Sequence, residues 1–125
     1  MKTRETLITN YIDAYNTFDS EKMVADFDET IKFENISATE TTLSLVGLAS
    51  FKEQAKQATA FFATRKQTVT AYKHTELETE VEITYHAVLA IDLPNGLKKG
   101  DELNLKGKSI FKFLGNKISE LIDIS

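Results

Sequence analysis

Cysteine is absent from this chain of 125 residues, which excludes disulfides, thiolate nucleophiles and thiolate metal sites together and leaves the redox compartment unread. Long apolar runs are missing too. The opening stretch MKTRETLITNYIDAY breaks its hydrophobic residues with Thr, Asn and Asp, so it lacks the core of a signal peptide, and no later span is long enough for a bilayer. Nor is there an excess of basic charge: 15 Lys and Arg face 19 Asp and Glu, and a net charge of -4 argues against nucleic acid and anionic membrane as partners. A cytoplasmic protein is expected. Repeats, low-complexity tracts and linkers are likewise absent. A composition that is 42% hydrophobic and 27% charged suits one globular domain over residues 1–125, burying roughly two-thirds of its unfolded surface around one core and one pocket.

Familiar motifs fail on spacing. Gly107-Lys108-Ser109 looks like the end of a phosphate loop, but the position that should hold the first glycine is Glu102, and the triplet lies inside a strand pattern. Asn35-Ile36-Ser37 is a formal glycosylation sequon without a secretory leader to make it meaningful. His74 and His86 have no carboxylate or second histidine at ligand spacing, so no metal is expected. No nucleophile elbow, dinucleotide fingerprint or zincin helix is present.

What is there reads clearly at the C-terminal end. Over Glu102 to Ser125 the chain is a long strand, a turn at Leu114-Gly115-Asn116-Lys117 and a final strand. Leu103, Leu105, Ser109, Phe111 and Phe113 share one face, while Asn104, Lys106, Lys108 and Lys112 alternate on the other. The last strand sets Ser119, Leu121 and Asp123 against Ile118, Glu120, Ile122 and Ile124. An acid at the end of an apolar strand is costly unless paired or useful, which singles out Asp123. It is either a pocket carboxylate or an exposed acid on a frayed strand end.

Upstream, Leu7, Ile8, Tyr11, Ile12 and Tyr15 form a helical stripe over Thr3 to Phe18 with Thr3 as N-cap, and Asp19 or Ser20 caps a short helix running through Phe27. Thr30 to Ile36 alternates as a strand with Asn35 on the face of Ile31 and Phe33. Residues Ser37 to Leu45 read as a loop ending in a short strand. Gly47 opens a third helix whose stripe is Leu48, Phe51, Ala55, Ala58 and Phe62. Strands follow over Lys66 to Leu77 and Val81 to Asp92, turning near Thr79-Glu80, with Leu93 to Asp101 as the next reversal. Parity pairs Glu82 with Lys112 and His86 with Lys108 across an antiparallel meander. Tyr72 with His74, and Thr84 with His86, share faces, but Ile83, Tyr85, Ala87 and Leu89 make the opposite face equally apolar, so the pocket side stays open.

Helix, short helix, strand, helix and then long strands, carried by Tyr11-Ile12-Asp13-Ala14-Tyr15, Phe27 through Asn35, Val46-Gly47, Leu93-Pro94-Asn95-Gly96 and Ser109 through Phe113, resemble the nuclear transport factor 2-like superfamily in its SnoaL-like flavour. The resemblance implies a cone-shaped α+β roll, three N-terminal helices packed on a strongly bent antiparallel sheet that encloses a pocket. Ketosteroid isomerases resemble the chain at Tyr11, but their base falls at Asn35 and their carboxylic acid at Ser109. Limonene epoxide hydrolase is similar at Phe33, Asn35 and Asp123, while its arginine–aspartate pair falls near His86 and Val88. In a SnoaL-like cyclase, Asp123 would be the acid–base.

The implied function is binding of a small hydrophobic molecule, polyketide-, terpenoid- or steroid-like, with cofactor-free acid–base chemistry at Asp123. Tyr11, Tyr15, Phe33, Asn35, Tyr72, His74, His86, Ser109 and Phe111 are the candidate binding residues. A non-catalytic ligand-binding or protein-interaction module is the alternative, and the outer sheet face, with Ile110, Ile118, Ile122 and Ile124, is expected to form a homodimer.

Overall fold

A computed structural model describes residues 3–125. The elements are α1 (Arg4–Asn16), α2 (Ser20–Met23), β1 (Phe27–Ser37), β2 (Glu40–Val46), α3 (Leu48–Ala58), β3 (Phe62–His74), β4 (Glu78–Leu89), β5 (Glu102–Leu114) and β6 (Lys117–Ile124). Among the described residues no helix is long and apolar enough to cross a membrane.

Local chemistry accounts for the helix ends. The Thr3 hydroxyl accepts from the Thr6 N–H at 3.1 Å and starts α1, whose Leu7, Ile8, Tyr11 and Ile12 are buried. The Asp19 carboxylate accepts from the Lys22 N–H at 3.0 Å and starts α2. That helix stops at Met23, and Phe27 already belongs to β1, because Phe27 and Ile31 are buried on the inner face of the sheet. The α3 stripe is shorter than its spacing suggests. The helix ends at Ala58, a 3-10 turn follows over Thr59–Phe61, and Phe62 opens β3.

All six strands form one sheet in the order β2-β1-β6-β5-β4-β3. It is not wholly antiparallel as expected: β1 runs parallel to β6, and the other four pairings are antiparallel. That parallel pair closes the sheet between the first and last strands, a contact no local pattern encodes. The Ser- and Thr-rich stretch is a full strand, not a loop, because Leu43 and Leu45 pair with Asn35 and Phe33 and turn inward. Its hairpin turns through Ala38 and Thr39, both at positive φ (50° and 71°), without the glycine or asparagine such a turn favours.

The β3–β4 reversal lies at residues 75–77, so Thr79 and Glu80 sit inside β4. Between β4 and β5 the even parity holds, but Lys112 faces Glu78, Lys108 faces Glu82 and Asn104 faces His86. The long connection fixes this slip by clamping Leu89 N–H to the Asp101 carbonyl at 3.0 Å. The acidic edge is nevertheless matched by lysines, with Lys108 3.6 Å from Glu80.

Pairing sets the inner face without ambiguity. One row runs across the sheet through Leu43, Asn35, Asp123, Ser109, Val81 and Tyr72, and the next through Leu45, Phe33, Leu121, Phe111, Thr79 and His74. On β4 it is therefore the odd residues, Val81, Ile83, Ala87 and Leu89, that are buried inside. A bulge opposite Lys112 and Phe113 shifts the parity of β6, and Ile118 is fully buried in the core instead of lying outside. Gly107 lies where a Cβ would stand 2.7 Å from the Ile124 carbonyl oxygen, a backbone approach no larger residue permits.

Candidate functional site

Asp123 sits in the middle of the first inner row, flanked by Ser109 of β5 and Asn35 of β1. The Ser109 hydroxyl donates to its Oδ1 at 2.6 Å. Asp123 is half-buried, with a sliver of surface on the cavities, and the packing around it pushes its carboxyl up to about 6 despite the opposing Ser109 bond. Asn35 spends its amide locally, donating from Nδ2 to the Thr42 hydroxyl at 2.8 Å.

Above this row lies α1. Tyr11 stacks on Phe27 with centroids 5.4 Å apart and meets Phe111 edge-on at 5.9 Å. Burial, then the nearby Asp123 carboxylate, hold its phenol well above the ordinary tyrosine range. One turn on, the Tyr15 hydroxyl donates to that of Tyr85 at 2.9 Å. Both phenols are raised, chiefly by burial.

Beside Tyr15 is a residue that sequence reasoning passed over. Arg65 is only 4% exposed; its Nε donates to the Tyr15 carbonyl at 2.9 Å, and its guanidinium carbon lies 3.8 Å from the Tyr15 ring centroid and 4.6 Å from that of Phe18. An arginine at the head of a strand reads as a solvated end. The signal was parity: Arg65 shares its face with Gln67 and Val69, which pair with Tyr85 and Ile83 on the buried side of β4.

Two cavities meet here. One of about 360 Å³ lies under α1 and α3 and is lined by Tyr11, Tyr15, Phe33, Asn35, Phe51, Leu43, Leu45, Phe62, Arg65 and Asp123 among others. A second, of about 340 Å³, continues toward β4 and β5 along Tyr85, Leu103, Leu105, Gly107 and Ser109. Both share Tyr15, Asn35, Phe62 and Asp123. The lining of the first is mainly apolar and aromatic, with one carboxyl near neutrality, a surface that can accommodate a ring beside a group that can exchange a proton.

The structure thus brings Asp123, Tyr11, Tyr15, Phe33, Asn35 and Ser109 together around connected space. Four other candidates lie elsewhere. Phe111 is fully buried in the core, packed against Tyr11. Tyr72 and His74 are on the inner face but near the N-terminal end of α1, where they stack on each other and His74 reaches Thr79 at 2.8 Å and Glu5 at 2.9 Å. His86 is on the outer face, exposed, 3.4 Å from Glu102, because the odd residues of β4 take the inside. Among the described residues no three His, Asp or Glu side chains gather as a metal site.

No protein-family model matches the sequence, and no curated protein matches it. Solved structures do match in fold. A candidate polyketide cyclase from Xanthomonas campestris superposes with a TM-score of 0.80 at 16% identity, over 95% of this chain and 87% of that one. A candidate SnoaL-like polyketide cyclase from Shewanella denitrificans gives 0.76 at 16% identity, over 96% and 88%. An NTF2-like protein of unknown function from Burkholderia pseudomallei gives 0.76 at 12% identity, over 98% and 90%. The six-stranded mixed sheet with its helices on the inner face is therefore the fold of the SnoaL-like and nuclear transport factor 2-like proteins.

Proposed function

We propose that this protein binds a small, mostly hydrophobic ring compound, polyketide-, terpenoid- or steroid-like, in the cavity beside Asp123 and uses that carboxyl for cofactor-free proton transfer. The observation that carries the reading is the Ser109–Asp123 pair, a half-buried carboxyl held at 2.6 Å and raised to about 6 on the wall of an apolar cavity. A carboxyl titrating near neutrality is present in both forms, so it can take a proton from an activated carbon or oxygen and return it. Ser109 fixes which carboxylate oxygen stays free. Tyr11, Tyr15 and Phe33 supply ring contacts, and Asn35 borders the acid.

Among the reactions open to such a site, cyclisation fits best. It needs a single acid–base group, and polyketide cyclases are named among the structural neighbours. Isomerisation of the ketosteroid type would need titrating groups at Asn35 and Ser109, which carry none. Hydrolysis of the limonene epoxide type would need a charged pair near His86, which faces outward. Turnover of cyclic ketones, enols and epoxides is the screen. On a substrate so found, Asp123→Asn is expected to lower kcat by about 10²–10⁴-fold with the fold retained; unchanged turnover removes Asp123 from the mechanism.

A second reading, a ligand-binding or protein-interaction module without catalysis, is favoured by one feature. Among the described residues the one side-chain hydrogen bond to Asp123 comes from Ser109, which does not titrate, while the Tyr15 hydroxyl bonds Tyr85 and the Asn35 Nδ2 bonds Thr42. Saturable binding with no turnover across the screen would select it. In either case the outer face, where Ile110, Ile122 and Ile124 are half-buried, is proposed as a homodimer surface in a cytoplasmic protein. A monomeric mass at micromolar concentration would refute the dimer.

A further inference from the structure

Arg65 has more binding capacity than the protein uses. Its Nε donates to the Tyr15 carbonyl and Nη2 points at the Met23 sulfur at 3.9 Å, but Nη1 makes no hydrogen bond among the described residues. No carboxylate among the described residues pairs with it. The guanidinium is thus carried into a mainly apolar cavity wall, where ring faces and one backbone carbonyl are its contacts. Cation–π contact recovers part of the lost hydration, while an oxyanion on the open donors would recover far more.

The rest of the wall sharpens this. Among the described residues Arg65 and Asp123 are the only charged side chains that line this cavity, and Lys106 and Lys108 line the second one beside it. Asp123 bonds Ser109 and makes no ion pair with Arg65, so the guanidinium enters the lining without a carboxylate on its donors. A neutral ligand would leave that charge where it is, whereas a ligand with one ionised oxygen would neutralise it. Tyr15 and Phe62 flank both Arg65 and the cavity, so a ring anchored there lies on aromatic faces and extends toward Asp123.

We infer that Arg65 is the ligand anchor of this pocket, and that the pocket takes ring compounds carrying one oxyanion, a carboxylate or an acidic enolate, bound through Nη1. The inference rests on the pocket reading above and deepens it by naming the charge of the ligand. It also assigns Arg65 a role apart from proton transfer: it selects and orients, and Asp123 acts.

The test uses two matched pairs of probes, 2-naphthoate with 2-naphthamide for the carboxylate and 4-hydroxycoumarin with 4-methoxycoumarin for the enolate. Calorimetric titration of the full chain is expected to show at least one anion binding about tenfold or more tighter than its neutral partner, the ratio a charge-assisted hydrogen bond supplies. Whichever pair shows it identifies the oxyanion. Arg65→Met should bring that ratio near one, Arg65→Lys should keep part of it, and the Arg65 Nε–H resonance should move with the anion alone. Equal affinity within both pairs in the wild type, or a preference that survives in Arg65→Met, overturns the anchor and leaves the pocket standing. Should Arg65→Met not fold, the wild-type ratios and the Nε–H resonance decide alone. If none of the four probes binds, the pocket reading falls and the anchor with it.

Discussion

The two ends of α1 rest on the sheet in opposite ways, and two arginines measure the difference. At the N-terminal end Arg4 lies over the Phe113 ring at 5.2 Å and donates to the carbonyls of Thr75, Glu76 and Glu78 and to the Thr79 hydroxyl. It knits the β3–β4 turn to the helix, and the adjacent Glu5–His74–Thr79 chain of hydrogen bonds does the same. At the C-terminal end Arg65 also lies over an aromatic ring, yet it gives one hydrogen bond to oxygen. Similar groups in similar packing thus do different work. Where both terminal nitrogens are engaged the contact holds the fold, and where one is left open beside a cavity the contact is available to something else.

Stability measurements sharpen the contrast, and the largest effect should come from Asp123. Burial lifts its carboxyl from the ordinary value of 3.8 to about 6, so the native state holds the proton more tightly than the unfolded chain. Stability should therefore fall as pH rises from about 4 to about 6 and stay low above that, by about 2–3 kcal/mol. Urea unfolding of Asp123→Asn should lack this slope and be more stable by a similar amount above about pH 7. A wild type whose stability is flat or rises over that window would contradict the assignment.

Next in size are the arginines themselves. Arg4→Met should cost about 1–2 kcal/mol, since several carbonyls lose a charged donor at a partly solvated site. Arg65→Met, which removes a buried unpaired charge and keeps most of its volume, should change stability by no more than about 1 kcal/mol. The reverse order in matched unfolding curves would break the comparison. The smallest effect is expected for Glu5→Gln, which weakens an exposed pair at 2.9 Å and should cost about 0–1 kcal/mol.

Sequence alone carried a good part of this, and the losses have identifiable causes. Period-two alternation placed Asp123 with Leu121, and Ser109 with Phe111, on the inner face, and the α1 stripe put Tyr11 and Tyr15 over the sheet. Alternation cannot see a bulge, and one inserted residue sent Ile118 from the outer list into the core. It cannot choose between two apolar faces either, and only the β3–β4–β5 pairing shows that His86 lies on the outer face. The parallel β1–β6 contact joins segments at opposite ends of the chain, so the alignment of Asn35 with Asp123 had no local trace. Arg65 was missed for a different reason: charge biases the reading toward solvent, and only its neighbours' parity argues otherwise.

One side chain at the end of α1 bears on how copies of this protein can meet. Asn16 donates from Nδ2 to the Gln67 carbonyl at 3.0 Å and accepts the Gln67 N–H on Oδ1 at 2.7 Å. Gln67 lies on β3, a border strand of the sheet. The asparagine amide therefore stands where the backbone of an incoming strand would dock, and it mimics that backbone group for group. A seventh strand from another molecule could not zip along β3 past this point without evicting the mimic, so this border is guarded against fibre-like growth.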